Sequence, residues 1–432
     1  MSAAEVRVGL LGLGTVGTGV VSIISRHQDE LRHQVGCPVT VKKVLVRDKE
    51  KQRPVDLDES LVTDQIEDVL FDQNIDVVIE VMGGVETTRE HLLTALRNGK
   101  HVVTANKDLM ALYGAELLQV ASENGCDLYY EASVAGGIPI LRSLSDGLSA
   151  DRITKMMGIV NGTTNYILTK MTQNGSSYEE VLKVAQELGF AESDPTADVE
   201  GLDAARKMAI LATLGFSMDV SLDDVSVKGI SSVTKTDLDY CDQLGYTMKL
   251  IGLAKRDEGR VEVSVEPTLL PKEHPLASVH NEYNAVYVYG EAVGETMFYG
   301  PGAGSLPTAT AVVSDLVSVM KNMRLGVCGR QVQEPLHARV LKKANEIDSK
   351  YFMRLRVLDK AGTFQAVTSL FASHDVSFEK LLQLPIEGEE VAEVIVITHH
   401  TTKENYEQLY NKLSELEVIE SIESSYRVEG GR

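Results

Sequence analysis

The chain has 432 residues, 43% hydrophobic and 24% charged, which is enough for two or three globular domains with sizeable cores. A net charge of −21 excludes a nucleic-acid or anionic-membrane surface, since both need a basic footprint, but leaves anionic small molecules open through a local basic pocket. The four dispersed cysteines (Cys37, Cys126, Cys241, Cys328) form no CxxC or Cys/His motif, so a reduced, cytoplasmic compartment and no zinc site are expected.

Val6–Gly12 reads as a buried strand and Thr15–Leu31 as a helix. Val39–Arg47, Ile75–Val81, His101–Ala105 and Asp127–Val134 read as further strands, with Thr88–Arg97 helical among them. This alternation predicts an α/β, doubly wound parallel sheet over residues 1–135. From about residue 136 the pattern changes. Helical stretches at Thr163–Asn174, Tyr178–Leu188 and Asp198–Leu214 precede strands at Arg260–Glu266 and Ala285–Gly290, an α+β arrangement over 136–304. A glycine-rich loop, Gly300–Pro307, leads to a long helix at Thr308–Lys321, expected to complete the first domain at about 305–330. Residues 331–350 read as a polar linker. The tail, 351–432, runs strand Tyr351–Leu358, helix Thr363–His374, strands Val376–Leu384 and Val391–His399, helix Lys403–Leu416 and strand Ile419–Val428. That order, βαββαβ, is a ferredoxin-like unit. The N-terminus has no charged leader and cleavage site, and no stretch is long and apolar enough to span a bilayer.

Gly12-Leu13-Gly14-Thr15-Val16-Gly17 follows a strand and opens a helix, the context in which GxGxxG binds a dinucleotide. Gly12 would make the tight turn, Gly14 would let the diphosphate approach, and Gly17 would pack helix on sheet. The alternative is a glycine turn with packing duties only. Arg47, near the end of the second strand, favours the 2′-phosphate of NADP, while Asp48 beside it keeps NAD possible; a solvated surface charge is the bland reading of Arg47. Thr104 and Lys107 stand at the carboxyl end of another strand, where ligands bind in such sheets, although Lys107 would also suit a helix start. The segment Glu192-Ser-Asp-Pro-Thr-Ala-Asp198 leads into a helix on which Asp203 and Lys207 share a face. Spacing alone fits a plain surface ion pair there. Asp194 and Asp198 read as turn and N-cap residues.

Together these motifs resemble the homoserine dehydrogenase family over the whole chain. The residues that carry the resemblance are Gly12–Gly17, TANKD at Thr104–Asp108, YEASVAGGIP at Tyr130–Pro139, GIVNGTTNYIL at Gly158–Leu168, Glu192–Lys207 and GPGAGSLPTA at Gly300–Ala309. The tail, with Leu358-Asp-Lys-Ala-Gly362, is similar to an ACT domain. The resemblance implies reversible, NAD(P)H-dependent interconversion of L-aspartate 4-semialdehyde and L-homoserine, on the route to threonine, methionine and isoleucine. It implies Lys207 as acid/base residue and Lys107 as its assistant at the nicotinamide end. It further implies Glu192, Asp203, Gly162 and Thr163 at the substrate, and Gly189 and Gly304 along the cofactor cleft. Glu131 and the carbonyls of Val134, Gly136 and Ile138 would hold a monovalent cation, Na+ in the family; an interdomain hinge is the alternative there. Phe190 stands where many relatives have Tyr, which removes a hydroxyl from the substrate loop. A homodimer or homotetramer is implied, as is threonine as an effector at the ACT domain, against a purely structural or dimerising tail.

Reducing an aldehyde needs a hydride at carbon and a proton at oxygen, and an ammonium group beside the carbonyl can supply the proton. Two rival readings remain. An aspartate semialdehyde dehydrogenase would need a nucleophilic cysteine in an evident motif, and none of the four has one. A non-catalytic amino-acid sensor would have no use for intact Lys107, Glu192, Asp203 and Lys207.

Overall fold

The computed structural model describes residues 5–55, 57–330 and 335–430. They form two compact units. The first takes its residues from Met1–Ile153, Ala209–Asp223 and Asn284–Ala338, the second from Thr154–Met208, Asp224–Tyr283 and Arg339–Arg432.

The first unit is built on six strands: β1 (Val6–Leu11), β2 (Val39–Leu45), β3 (Val62–Thr63), β4 (Val77–Glu80), β5 (His101–Thr104) and β6 (Leu128–Tyr129). Every pair is parallel, and the order is β3-β2-β1-β4-β5-β6, the doubly wound arrangement expected. β4 and β5 are buried along their whole length, which is why they read as unbroken apolar runs rather than as alternation. The helix expected over Thr15–Leu31 is two helices, Thr15–Arg26 and Gln28–Val35, with His27 at the break. The strand expected over Asp127–Val134 stops at Tyr129, and Glu131–Ser133 is a single tight turn of helix. Ser305–Leu325 is a 21-residue helix; a Cβ at Gly19 would lie 2.7 Å from the Ser305 carbonyl, so glycine lets it lie close to helix Thr15–Arg26.

The second unit is a sheet with helices on it. Seven strands lie in the order Ile153–Ile159, Tyr246–Asp257, Arg260–Pro271, Ile419–Val428, Asp348–Leu358, Val391–Thr398 and Phe378–Pro385. The last four, with helices Thr363–Ser373 and Lys403–Ser414, are the βαββαβ tail in its expected order. The tail is not a separate bead: Thr268 and Leu269 pair in parallel with Arg427 and Val428, so one sheet runs through both parts of the unit. Of the residues expected to form a linker, 331–334 lie outside the described residues, and Asp348–Lys350 already belong to the strand. The helix expected over Asp198–Leu214 is divided at Gly201 (φ +79°) into a turn, Thr196–Val199, and a 15-residue helix, Leu202–Phe216. Among the described residues no helix is long and apolar enough to cross a membrane.

Candidate active site

In the first unit the glycine fingerprint sits at the carboxyl ends of β1 and β4, where the strand order reverses and such sheets bind ligands. Gly12 has φ +104°, and a Cβ there would lie 2.9 Å from both the Val81 carbonyl oxygen and the Met82 Cα. A Cβ on Gly17 would strike the Gly12 carbonyl at 2.2 Å. Around Gly14 nothing lies within 4 Å, so a phosphate has open backbone to approach. Gly14 is the N-cap of helix Thr15–Arg26 and no side chain caps that end, so its first N–H groups are disposed for an anion. Leu13 is buried, Val16 half-buried and Thr15 exposed. Gly304 (φ +122°) likewise opens helix Ser305–Leu325 without a side-chain cap, and the Ser305 hydroxyl donates to the Thr15 carbonyl at 2.6 Å. Two helix N-termini therefore meet at one place.

Arg47 stands exposed two residues beyond β2. The neighbouring Asp48 carboxylate accepts from the Glu50 N–H at 2.9 Å, a local turn bond. Thr104 is fully buried. Its hydroxyl donates to Glu80 at 2.6 Å and accepts from the Asn106 N–H at 3.0 Å. The other Glu80 oxygen accepts from the N–H groups of Met82 and Gly83. Burial pushes the Glu80 carboxyl up. This network shapes the loops after β4 and β5 and engages the Thr104 hydroxyl within the protein. Asn106 caps the helix that Lys107 begins.

Glu131 is buried, and its carboxylate oxygens accept from the N–H groups of Leu141 and Arg142, each at 2.8 Å. Each oxygen keeps a lone pair for a further partner. Ala135 and Gly136 both have positive φ (54° and 52°), which turns successive carbonyls in a short arc. The Ile138 carbonyl accepts from the Ile140 N–H at 2.8 Å, and Val134 is buried. Hard oxygen donors of this kind suit a monovalent cation. The structure also gathers His101, Asp127 and Cys328, whose donor atoms lie within 4.8 Å of one another, although the sequence shows no metal motif. His101 Nδ1 accepts from the Asp127 N–H at 3.0 Å and burial pushes the ring pKa down, so the neutral ring carries its proton on Nε2 and offers no lone pair there. Asp127 accepts from Gly329 N–H and Asn322 Nδ2. The group is a hydrogen-bond hub. A cavity of about 570 Å³ in this unit, lined by Met110, Leu118, Tyr130 and Met218 among others, holds none of the expected site residues.

In the second unit, strand Ile153–Ile159 runs into Val160 and Asn161, and Asn161 caps helix Gly162–Asn174. Lys207 Nζ donates to Asp203 Oδ2 and to the Val160 carbonyl, both at 2.7 Å. The side chains of Lys207 and Asp203 are 12% and 8% exposed, so the solvated surface pair that spacing alone allows is not what forms. Asn161 Nδ2 donates to Asp203 Oδ2 and to Asp198 Oδ1, each at 2.8 Å. Burial, with Asp203 nearby, raises the Asp198 pKa. Asp198 is thus a member of the cluster and not an N-cap: its turn begins after Pro195. Asp194 does make the expected turn, accepting from the Thr196 N–H and hydroxyl. Sequence reasoning missed Asn161, although it lies inside the GIVNGTTNYIL motif directly before a helix.

The remaining expected substrate residues stand apart in character. Glu192 is exposed on its loop, with its carbonyl held by Gln186 Nε2. Gly162 has no room for a side chain, because a Cβ would lie 2.6 Å from the Glu282 carbonyl. The Thr163 hydroxyl donates to the Phe190 carbonyl at 2.6 Å, and the Phe190 ring lies 4.9 Å from that of Tyr166. Gly189 (φ +77°) has no atom within 4 Å of a would-be Cβ.

Family models match three stretches: "Homoserine dehydrogenase, NAD binding domain" over 12–131, "Homoserine dehydrogenase" over 139–317 and "ACT domain" over 351–418. A homoserine dehydrogenase of Bacillus subtilis is 65% identical over 426 residues, 98% of each chain. The chain belongs to the homoserine dehydrogenase family. Among solved structures, a homoserine dehydrogenase from Thiobacillus denitrificans superposes with a TM-score of 0.93 at 38% identity, covering 99% of each chain. That of S. aureus superposes with 0.80 at 41%, covering 99% of this chain and 100% of the other. The chain is an NAD(P)-dependent oxidoreductase of the homoserine dehydrogenase class, with a Rossmann-type sheet, a catalytic domain and an ACT domain.

Proposed function

We propose that Lys207 is the acid/base residue of the reversible reduction of L-aspartate 4-semialdehyde to L-homoserine. The observation that carries this is the nearly buried Lys207, anchored by a carboxylate and a carbonyl at once. A bound nicotinamide dinucleotide supplies or accepts the hydride at the substrate carbon. As hydride reaches the carbonyl carbon, the Lys207 ammonium stabilises the growing charge on oxygen and delivers the proton. In the oxidative direction Lys207 takes the hydroxyl proton. Lys107 assists. Glu192 and Asp203 hold the substrate α-ammonium, and the backbone at Gly162 and Thr163 borders the substrate.

The cofactor diphosphate lies over Gly12–Gly17, with Gly304 and Gly189 bordering the dinucleotide and the loop at Thr104 shaping its place. Arg47, exposed just beyond β2, makes the preference NADP, while one oxygen of the neighbouring, equally exposed Asp48 closes a turn on the Glu50 N–H. Glu131 with the carbonyls of Val134, Gly136 and Ile138 holds Na+, which orders the loop. Functionally the chain divides into 1–135 with the helix near 305–330, 136–304, a linker at 331–350, and the ACT module 351–432, at which threonine acts as effector. The working form is a cytoplasmic homodimer or homotetramer.

The test is a spectrophotometric assay of the purified chain with L-homoserine and either NADP+ or NAD+. Reduced cofactor must accumulate with homoserine, faster per enzyme with NADP+ at limiting concentration. No turnover with either cofactor would remove the reading.

A further inference from the structure

We infer that Asn161 is a positioning residue for the reaction, a clamp that holds the carboxylate to which Lys207 is bonded. The inference rests on Lys207 being the acid/base group, and goes beyond it by naming what fixes that group.

Asn161 is 5% exposed. Its Oδ1 accepts from both the N–H and the hydroxyl of Thr164, each at 2.9 Å, which settles which end of the amide is oxygen. The two hydrogens of Nδ2 then point away from the helix. One reaches Asp198 Oδ1 and the other Asp203 Oδ2, both at 2.8 Å. Both donors of a neutral group are spent on two different carboxylates, and one of those oxygens is also the acceptor for Lys207. The preceding residue supplies the other anchor, since the Val160 carbonyl accepts from the same Lys207 Nζ. One dipeptide therefore fixes both ends of the pair.

Capping the helix needs only Oδ1. Serine or aspartate would cap that end about as well. What asparagine adds is the NH2, a donor that brings two negative groups together without contributing charge. Without it, Asp198 and Asp203 repel across a poorly solvated gap, Asp203 turns away, and Lys207 loses its orientation.

The experiment compares Asn161→Ser with the parent as the full chain, with NADP+ and homoserine. Serine keeps the cap and removes the clamp. The inference requires kcat to fall about 10- to 100-fold, as for a sub-ångström to one-ångström misplacement of a reacting group. KM for NADP+ should stay near the parent value, while the thermal midpoint falls modestly because two buried carboxylates lose a shared donor. In the background of Asp203→Asn, adding Asn161→Ser should cost little more, because the two residues act as one unit. A kcat within twofold of the parent, or fully additive losses, overturns the inference and leaves Asn161 a helix cap. If Asn161→Ser does not fold, Asn161→Asp keeps cap and shape while reversing the donor, and must lose at least as much activity; parent-like turnover there also overturns the inference. Loss of activity in Lys207→Ala beside a normal Asn161→Ser would defeat this inference alone. Normal activity in Lys207→Ala would defeat the acid/base reading beneath it.

Discussion

The proposed NADP preference rests on Arg47 and on what its neighbour does. Asp48 could have met the ribose hydroxyls, yet its carboxylate closes a turn on Glu50 instead. If the Arg47 guanidinium meets the 2′-phosphate, Arg47→Ser should lower kcat/KM for NADP+ about 10- to 100-fold, the worth of a charge-assisted hydrogen bond, and leave NAD+ nearly unchanged. Equal losses with both cofactors would contradict the assignment. Thr104 and Thr163 stand in matching motifs, but their hydroxyls turn inward to Glu80 and to the Phe190 carbonyl. Asp198 looked like a cap because it flanks a proline loop, and only the fold brings Asn161, 37 residues earlier, against it. A contact of that separation leaves no local pattern to read.

Elements with a clear period or clear punctuation were legible. The glycine fingerprint, the buried strands after it and the βαββαβ order of the tail all follow from patterns within a dozen residues. The 12-residue strand Tyr246–Asp257 did not announce itself, because Lys249 and Lys255 interrupt its apolar run. Lys249 is nonetheless 1% exposed, its Nζ donating to Asn165 Oδ1 and to the Val279 carbonyl. Burial pushes its pKa down from 10.5 to about 7. Between those two values the unfolded chain binds more protons at this site than the folded one, so the site adds stability as pH rises from about 7 towards 10.5. Replacing it by Lys249→Met removes that slope, plus a pH-independent loss of two hydrogen bonds. Thermal midpoints measured from pH 6.5 to 10 should show the parent gaining on the variant across this window. A constant difference would mean that Lys249 stays charged in the fold.

For the molecule as a whole, the ACT module is tied to its unit by buried charge as well as by strand pairing. Arg354 of the module is 7% exposed and meets Asp237, fully buried, at 2.8 Å; Ser424 and Tyr426 also donate to Asp237. Removing the carboxylate with Asp237→Ala leaves a buried guanidinium short of a partner, and should destabilise the unit by about 3–5 kcal/mol in urea unfolding. A loss below about 1 kcal/mol would show that Glu393 alone satisfies Arg354. The sequence showed the order of the module's elements but gave no sign of this latch, whose residues lie far apart along the chain. Proton transfer by the anchored Lys207 is the proposal on which the reaction rests. Its most direct test is the steady-state kcat of Lys207→Ala with homoserine and NADP+, alongside circular dichroism to confirm the fold. A folded variant slowed about 10²- to 10⁴-fold is the predicted result, and a folded variant turning over at close to the parent rate would contradict it.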